Sequence, residues 1–200
     1  YVAAVASADV SEVLADEQLR QFAVSAGSAA FKVNCVQCHG SGAQGSAGYP
    51  NLNDDEWLWG GSIEQIYQTI AHGIRFAGDD ETRFSEMPAF DYLEAEQITD
   101  AANYVVSLSG GAADAAAAER GQTVYAENCA ACHGDDGKGM ADLGAPDLTD
   151  AIWLYGSTVA DIASQMRAPK HGVMPAWGER LGDVTVKELA VYVHSLGGGE

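Results

Sequence analysis

All four cysteines of this chain fall in two copies of one short pattern, Cys35-Val36-Gln37-Cys38-His39 and Cys129-Ala130-Ala131-Cys132-His133. Two thiols separated by two residues lie on one helical turn, and the histidine that follows presents a ring nitrogen on the same side. Covalent attachment of a c-type haem needs that set: two thioethers to the vinyl groups and an axial nitrogen on the iron. Paired cysteines serve other chemistries as well. A tetrahedral zinc site does not ask for a histidine after each pair. A thioredoxin-like redox motif belongs in a βαβ context, which this sequence lacks. Disulfides do not account for the same histidine twice. The pattern therefore predicts two covalently bound haems c (iron), with Cys35, Cys38 and His39 holding one and Cys129, Cys132 and His133 the other.

A haem with one histidine needs a second axial ligand or an open site. Met87 and Met174 are the candidates, each in a Met-Pro-Ala turn with an aromatic residue, Phe90 or Trp177, three positions on. Proline stiffens such a turn, and a thioether ligand stabilises reduced iron and raises its potential. Met166 lies on the apolar stripe of its helix and reads as core. Met140 follows His133 so closely that it belongs on the proximal side. His72 is the alternative to Met87, while His171 and His194 read as structural or solvent-exposed. Pro50 and Pro146 follow the two motifs, where a backbone carbonyl can accept the proximal histidine's other N–H and orient the ring. Trp57, Trp59, Trp153 and Tyr155 are expected to pack on the haems or fill the space around them.

The elements that carry these residues are written twice. Gly27, Phe31, Asn34 and the first motif recur as Gly121, Tyr125, Asn128 and the second; Pro50, Leu52, Asp54, Trp57, Leu58 and Gly60 recur as Pro146, Leu148, Asp150, Trp153, Leu154 and Gly156; Tyr104-Val105 recurs as Tyr192-Val193. Aligning His72-Gly73-Ile74 with His171-Gly172-Val173 leaves residues 75–86 as an insertion in the first copy. Ser62 with Gln65 forms a capping box, followed by Ile63, Ile66 and Ile70 on one face. Thr158 opens the equivalent helix, with Val159, Ile162 and Met166. Ile98, Ala102 and Val105, then Val186, Leu189 and Val193, mark the last helix of each copy. The expected fold is all-α: two tandem class I cytochrome c domains related by internal duplication, with a loosely attached lead-in at residues 1–15 and domains at 16–110 and 111–200. Ser109 to Ala113 reads as the linker and Asp114 as the cap of the next helix.

Composition narrows the function. With 29 acidic against 10 basic residues the net charge is −19, so a nucleic-acid partner, which needs a basic face, is disfavoured. A basic protein partner suits this surface. No run of apolar residues is long enough to span a bilayer. The chain opens at Tyr1 without a signal segment, which leads to the expectation that a targeting or anchoring segment has been removed or that the chain is cut from something longer.

Several tryptophan-bearing loops are more specific than the cysteine motif. The run Asn51 to Gly61 with Ile63 and Tyr67, the run Leu143 to Gly156, and Gly172-Val173-Met174-Pro175-Ala176-Trp177 resemble the di-haem cytochrome subunit of cbb3-type cytochrome c oxidases. The resemblance implies a periplasmic electron carrier that is not an enzyme on its own. It would take electrons from a soluble basic cytochrome c donor or a bc complex, and pass them through a mono-haem cytochrome subunit to the catalytic subunit that reduces oxygen. It also implies that Met87 completes the haem of Cys35, Cys38 and His39, and Met174 that of Cys129, Cys132 and His133. Members of that family carry an N-terminal transmembrane helix, so the chain reads as the part on the periplasmic side of the bacterial inner membrane. A free di-haem shuttle, a di-haem peroxidase and a gas sensor are the competing readings. The last two need an open or labile coordination position.

Overall fold

A computed structural model of the chain describes residues 1–199. Among them the regular elements are helices: α1 (Val2–Ser7), α2 (Val10–Ala15), α3 (Glu17–Asn34), α4 (Val36–His39), α5 (Ile63–His72), α6 (Ala95–Leu108), α7 (Ala115–Asn128), α8 (Ala130–His133), α9 (Val159–Arg167), α10 (Gly178–Leu181) and α11 (Asp183–His194), with a 3-10 turn at Ala141–Leu143. The helix starts are set by side chains. Asp16 accepts the amides of Gln18 and Leu19 at 2.9 Å each, and Asp114 accepts that of Ala117 at 2.8 Å. Ser62 and Gln65 form the expected box, as do Thr158 and Asp161. Each such cap contributes about 1 kcal/mol. No described helix is long and apolar enough to cross a membrane.

The chain forms two compact units, and they do not coincide with the contiguous domains 16–110 and 111–200 expected from the repeat. One unit is Tyr1–Phe84 with the segment from Gly172 onward; the other is Ser85–His171. The first repeat's last helix, α6, packs on α7, the second repeat's first helix, while α11 packs on α3. The terminal helices have thus been exchanged between the repeats. Connection length explains the choice. Only Ser109–Asp114 separate α6 from α7, and two helices joined by a short turn fold back on each other as an antiparallel pair. The stretch expected as a linker is this hairpin turn.

The first unit centres on Phe31 of α3, Ile63, Ile66 and Ile70 of α5, and Val186, Leu189 and Val191 of α11. Residues 1–15, expected as a loose lead-in, belong to this core. Val5 and Val13 are fully buried, and Lys187 of α11 reaches back to donate to the carbonyls of Ala8 at 2.7 Å and Val5 at 3.4 Å. The second unit centres on Ile98, Ala102 and Val105 of α6, Val124 and Tyr125 of α7, and Ile162 and Met166 of α9. Met166 is core, as its stripe indicates.

Both units depend on one close helix crossing. A Cβ on Gly27 would lie 2.1 Å from the carbonyl oxygen of Glu188, and one on Gly121 would lie 2.0 Å from that of Asp100. Only glycine lets the backbones approach so closely. One turn further along each α3 or α7 helix, the rings of Phe31 and Tyr192 stand 5.4 Å apart, and those of Tyr125 and Tyr104 5.1 Å.

Candidate haem-binding sites

Each long helix, α3 or α7, ends at the first cysteine of its motif, and the motif continues as a single helical turn, α4 or α8. Cys35 and Cys129 are half-buried against their cores, whereas Cys38 and Cys132 are exposed. Burial, with a smaller push from the neighbouring cysteine, raises the thiols of Cys35 and Cys129 to about 11. Both therefore stay protonated near neutral pH.

The proximal histidines are fixed as the prolines suggest. Nδ1 of His39 lies 3.1 Å from the carbonyl of Pro50, and Nδ1 of His133 lies 3.2 Å from that of Pro146. A carbonyl only accepts, so Nδ1 carries the proton and Nε2 keeps its lone pair. Burial holds both rings below the usual histidine range, outweighing the prolyl carbonyls, which act in the opposite direction. Neutral imidazoles with a free Nε2, beside two cysteines on one turn, are the donor set that haem c requires. The supporting loops share two backbone bonds, although the second loop is longer and carries the 3-10 turn. Gly45 N–H donates to His39 O as Gly139 N–H does to His133 O, both at 2.8 Å; Leu52 N–H donates to Ala43 O at 2.8 Å as Leu148 N–H does to Gly137 O at 2.7 Å.

The methionines are distributed by the exchange of helices. Met174 belongs to the unit of Cys35, Cys38 and His39, and Met87 to that of Cys129, Cys132 and His133. Each is half-buried against its unit's core. This pairing reverses the one implied by the family resemblance, because the chain leaves the first unit before Met87 and re-enters it before Met174. The two methionine turns are anchored alike downstream. Trp177 N–H donates to Ile70 O at 3.0 Å, and Phe90 N–H donates to Met166 O at 2.9 Å. These bonds match Ile70 with Met166, so α9 is the equivalent of α5 but stops earlier.

His72, the alternative to Met87, is engaged by the insertion. It lies in the first unit, with Asp79 3.2 Å from Nδ1 and Glu81 3.2 Å from Nε2, so insertion carboxylates occupy both ring nitrogens. The insertion folds over Trp59, with the guanidinium groups of Arg75 and Arg83 5.7 and 5.8 Å from its ring centroid. Trp57 donates from Nε1 to the carbonyl of Gly198. Trp153 packs on the second core, and Lys170 stands 5.7 Å over the ring of Tyr155. Met140 is exposed. Sequence reasoning passed over two polar supports: the Tyr125 hydroxyl, which donates to Gly134 O at 2.7 Å, and His171, whose Nε2 lies 3.1 Å from Met87 O. A tyrosine opposite Phe31 in the repeat alignment was the signal for the first; a loop histidine gives none.

Comparison with known proteins identifies both repeats as cytochrome domains. Residues 24–109 match the family model described as cytochrome c, and residues 116–193 the one described as cytochrome C oxidase, cbb3-type, subunit III. The chain is 60% identical over 197 residues to cbb3-type cytochrome c oxidase subunit FixP of Sinorhizobium medicae and of Rhizobium meliloti, covering 98% of this chain and 68% of each relative. It is 53% identical over 195 residues to subunit CcoP of Cereibacter sphaeroides, covering 96% of this chain and 67% of that relative.

Proposed function

Because this chain belongs to the family of cbb3-type cytochrome c oxidase subunits that includes FixP and CcoP, an all-α pair of tandem cytochrome c domains, we propose that it is a di-haem electron relay. It takes electrons from a donor cytochrome c or a bc complex on the periplasmic side of the inner membrane. It delivers them, within the oxidase and by way of its mono-haem cytochrome subunit, towards the oxygen-reducing subunit. The observation that carries this reading is that each unit combines a cysteine turn, a histidine with its Nε2 lone pair free, and one methionine of a Met-Pro-Ala turn. A covalently held haem supplies a reversible one-electron couple at its iron.

The residues of the chain have separate tasks. Cys35 with Cys38, and Cys129 with Cys132, would hold the macrocycle as thioethers. His39 and His133 would each offer Nε2 to an iron, oriented by the carbonyls of Pro50 and Pro146. Met174 would supply the thioether in the unit of His39, and Met87 in that of His133. Methionine ligation at both sites closes each to small molecules, which favours a carrier over a peroxidase or gas sensor, and it poises the couple high. The acidic surface favours a basic donor through long-range attraction. Within the insertion Asp80 and Glu81 are exposed, while Asp79 is half-buried against His72.

A pyridine haemochrome assay on the denatured protein should find two covalent haems per chain, and the ferrous protein should leave carbon monoxide unbound. One haem, or ready carbon monoxide binding, contradicts the proposal. Reduction by a basic cytochrome should slow as salt rises, because attraction is screened beyond about 10 Å at 0.1 M ionic strength.

A further inference from the structure

The two methionine turns share their downstream anchor but differ at the methionine itself. In the first unit Met174 makes two backbone bonds with Ile74, its N–H donating at 3.0 Å and its carbonyl accepting at 2.9 Å. Ile74 is available because α5 runs on to His72 and the chain turns back at Gly73. In the second unit α9 ends at Arg167, Ala168 leaves the helical region, and Pro169 forbids continuation. Among the described residues no backbone bridge involves Met87.

We infer that His171 is the positioning residue of the Met87 turn, its imidazole replacing the backbone N–H that Ile74 offers to Met174. Nε2 of His171 lies 3.1 Å from the Met87 carbonyl; the carbonyl accepts, so Nε2 donates. The imidazole is itself held in place. Gln165 of α9 clamps the preceding residue, accepting from Lys170 N–H at 3.1 Å and donating to Lys170 O at 3.0 Å. Pro88 gives the turn no amide of its own and holds Met87 out of the helical region. The Met87 carbonyl is therefore the handle nearest the thioether. Fixing it removes loop freedom that a methionine ligand would otherwise have to lose on coordination. At the methionine itself the first is thus tethered by a backbone pair and the second by a side chain.

This inference rests on the reading of Met87 as a distal ligand, and the test separates the two. The two-haem protein is compared with Met87→Ala, His171→Phe, His171→Gln and Gln165→Leu. Three quantities are read: the sulfur-to-iron charge-transfer band of the ferric form, the midpoint potential of each haem, and carbon monoxide uptake by the ferrous form. Met87→Ala should cut the band to about half, since one methionine-ligated haem of two remains. His171→Phe should weaken the band towards that level, lower one potential only, and open one haem to carbon monoxide. His171→Gln, which keeps an N–H donor on a side chain of similar reach, should restore the band. Gln165→Leu, which touches neither ring nor methionine, should give a smaller loss at the same haem. If His171→Phe and Gln165→Leu both leave band and potentials unchanged while Met87→Ala removes half the band, His171 is not a positioning residue and the ligation reading stands. If Met87→Ala leaves the band intact, both fall.

Discussion

The two units hold the same cysteine turn, the same prolyl anchor on the histidine and the same glycine crossing, yet they support that frame in different ways. In the first unit the support at the motif and at the methionine itself is apolar and backbone. Phe31 fills the space behind the motif, Ile74 pairs with Met174, and α1 and α2 add Val5 and Val13 to the core. The second unit uses polar side chains at the matching points. The Tyr125 hydroxyl ties the motif at Gly134, and His171 holds the methionine turn. Arg120 grips Asp100 with two bonds at 2.8 and 2.6 Å, where the first unit has only the buried Glu188. The two units thus share the cysteine turn, the prolyl anchor and the glycine crossing, and differ in the scaffold around them.

The largest test of this comparison is to separate the units. Residues 85–171 contain α6, α7, α8, α9, one cysteine turn and Met87. Expressed with haem-attachment machinery, this fragment should unfold cooperatively and show one low-spin, methionine-ligated haem. A fragment that is molten, or whose haem binds external ligands freely, would break the account of the exchange.

Next come the crossings. Gly121→Val forces a Cβ to within 2.0 Å of Asp100 O, as Gly27→Val does to within 2.1 Å of Glu188 O. Each should cost its own unit about 3 kcal/mol or more, seen as loss of one transition in a two-step thermal melt. Equal loss in both units from either change contradicts separate crossings.

Much of this frame was legible in sequence. The helices, their caps, the haem motifs and the prolyl carbonyls follow from local spacing. The exchange was not legible, because Gly27 and Gly121, or Tyr104 and Tyr192, are equivalent in type and spacing. Nothing local says which α3-type helix meets which terminal helix, and loop length decides instead. The packing of residues 1–15 is not legible either, because two six-residue helices (α1 and α2) are too short to show a periodic stripe. They acquire one only in the tertiary structure, against α3, α5 and α11. The His171 contact spans 84 positions, which no window resolves.

A smaller effect separates the two motif supports. Tyr125→Phe deletes the bond to Gly134 and should destabilise the second unit by about 1 kcal/mol, a typical net hydrogen bond. Phe31→Tyr should bring no matching gain unless its hydroxyl finds a carbonyl. Differential scanning calorimetry of the holo protein reads both.

The smallest effect concerns Glu188, whose carboxyl burial raises above the usual glutamate range. Its protonated form is favoured in the fold. This contribution is complete below the unfolded pKa and is lost as pH rises through the folded one. Glu188→Gln should therefore raise first-unit stability at neutral pH, and the gain should vanish below the normal glutamate range. A gain that persists at low pH would point to packing rather than charge.

The central claim is that each haem takes its methionine from the other repeat. A crystal structure of the haem-loaded chain tests it most directly. The sulfur of Met174 should sit on the iron of the haem attached at Cys35 and Cys38, and that of Met87 on the iron of the haem attached at Cys129 and Cys132. Finding Met87 on the first haem and Met174 on the second would contradict the exchange of helices and the account built on it.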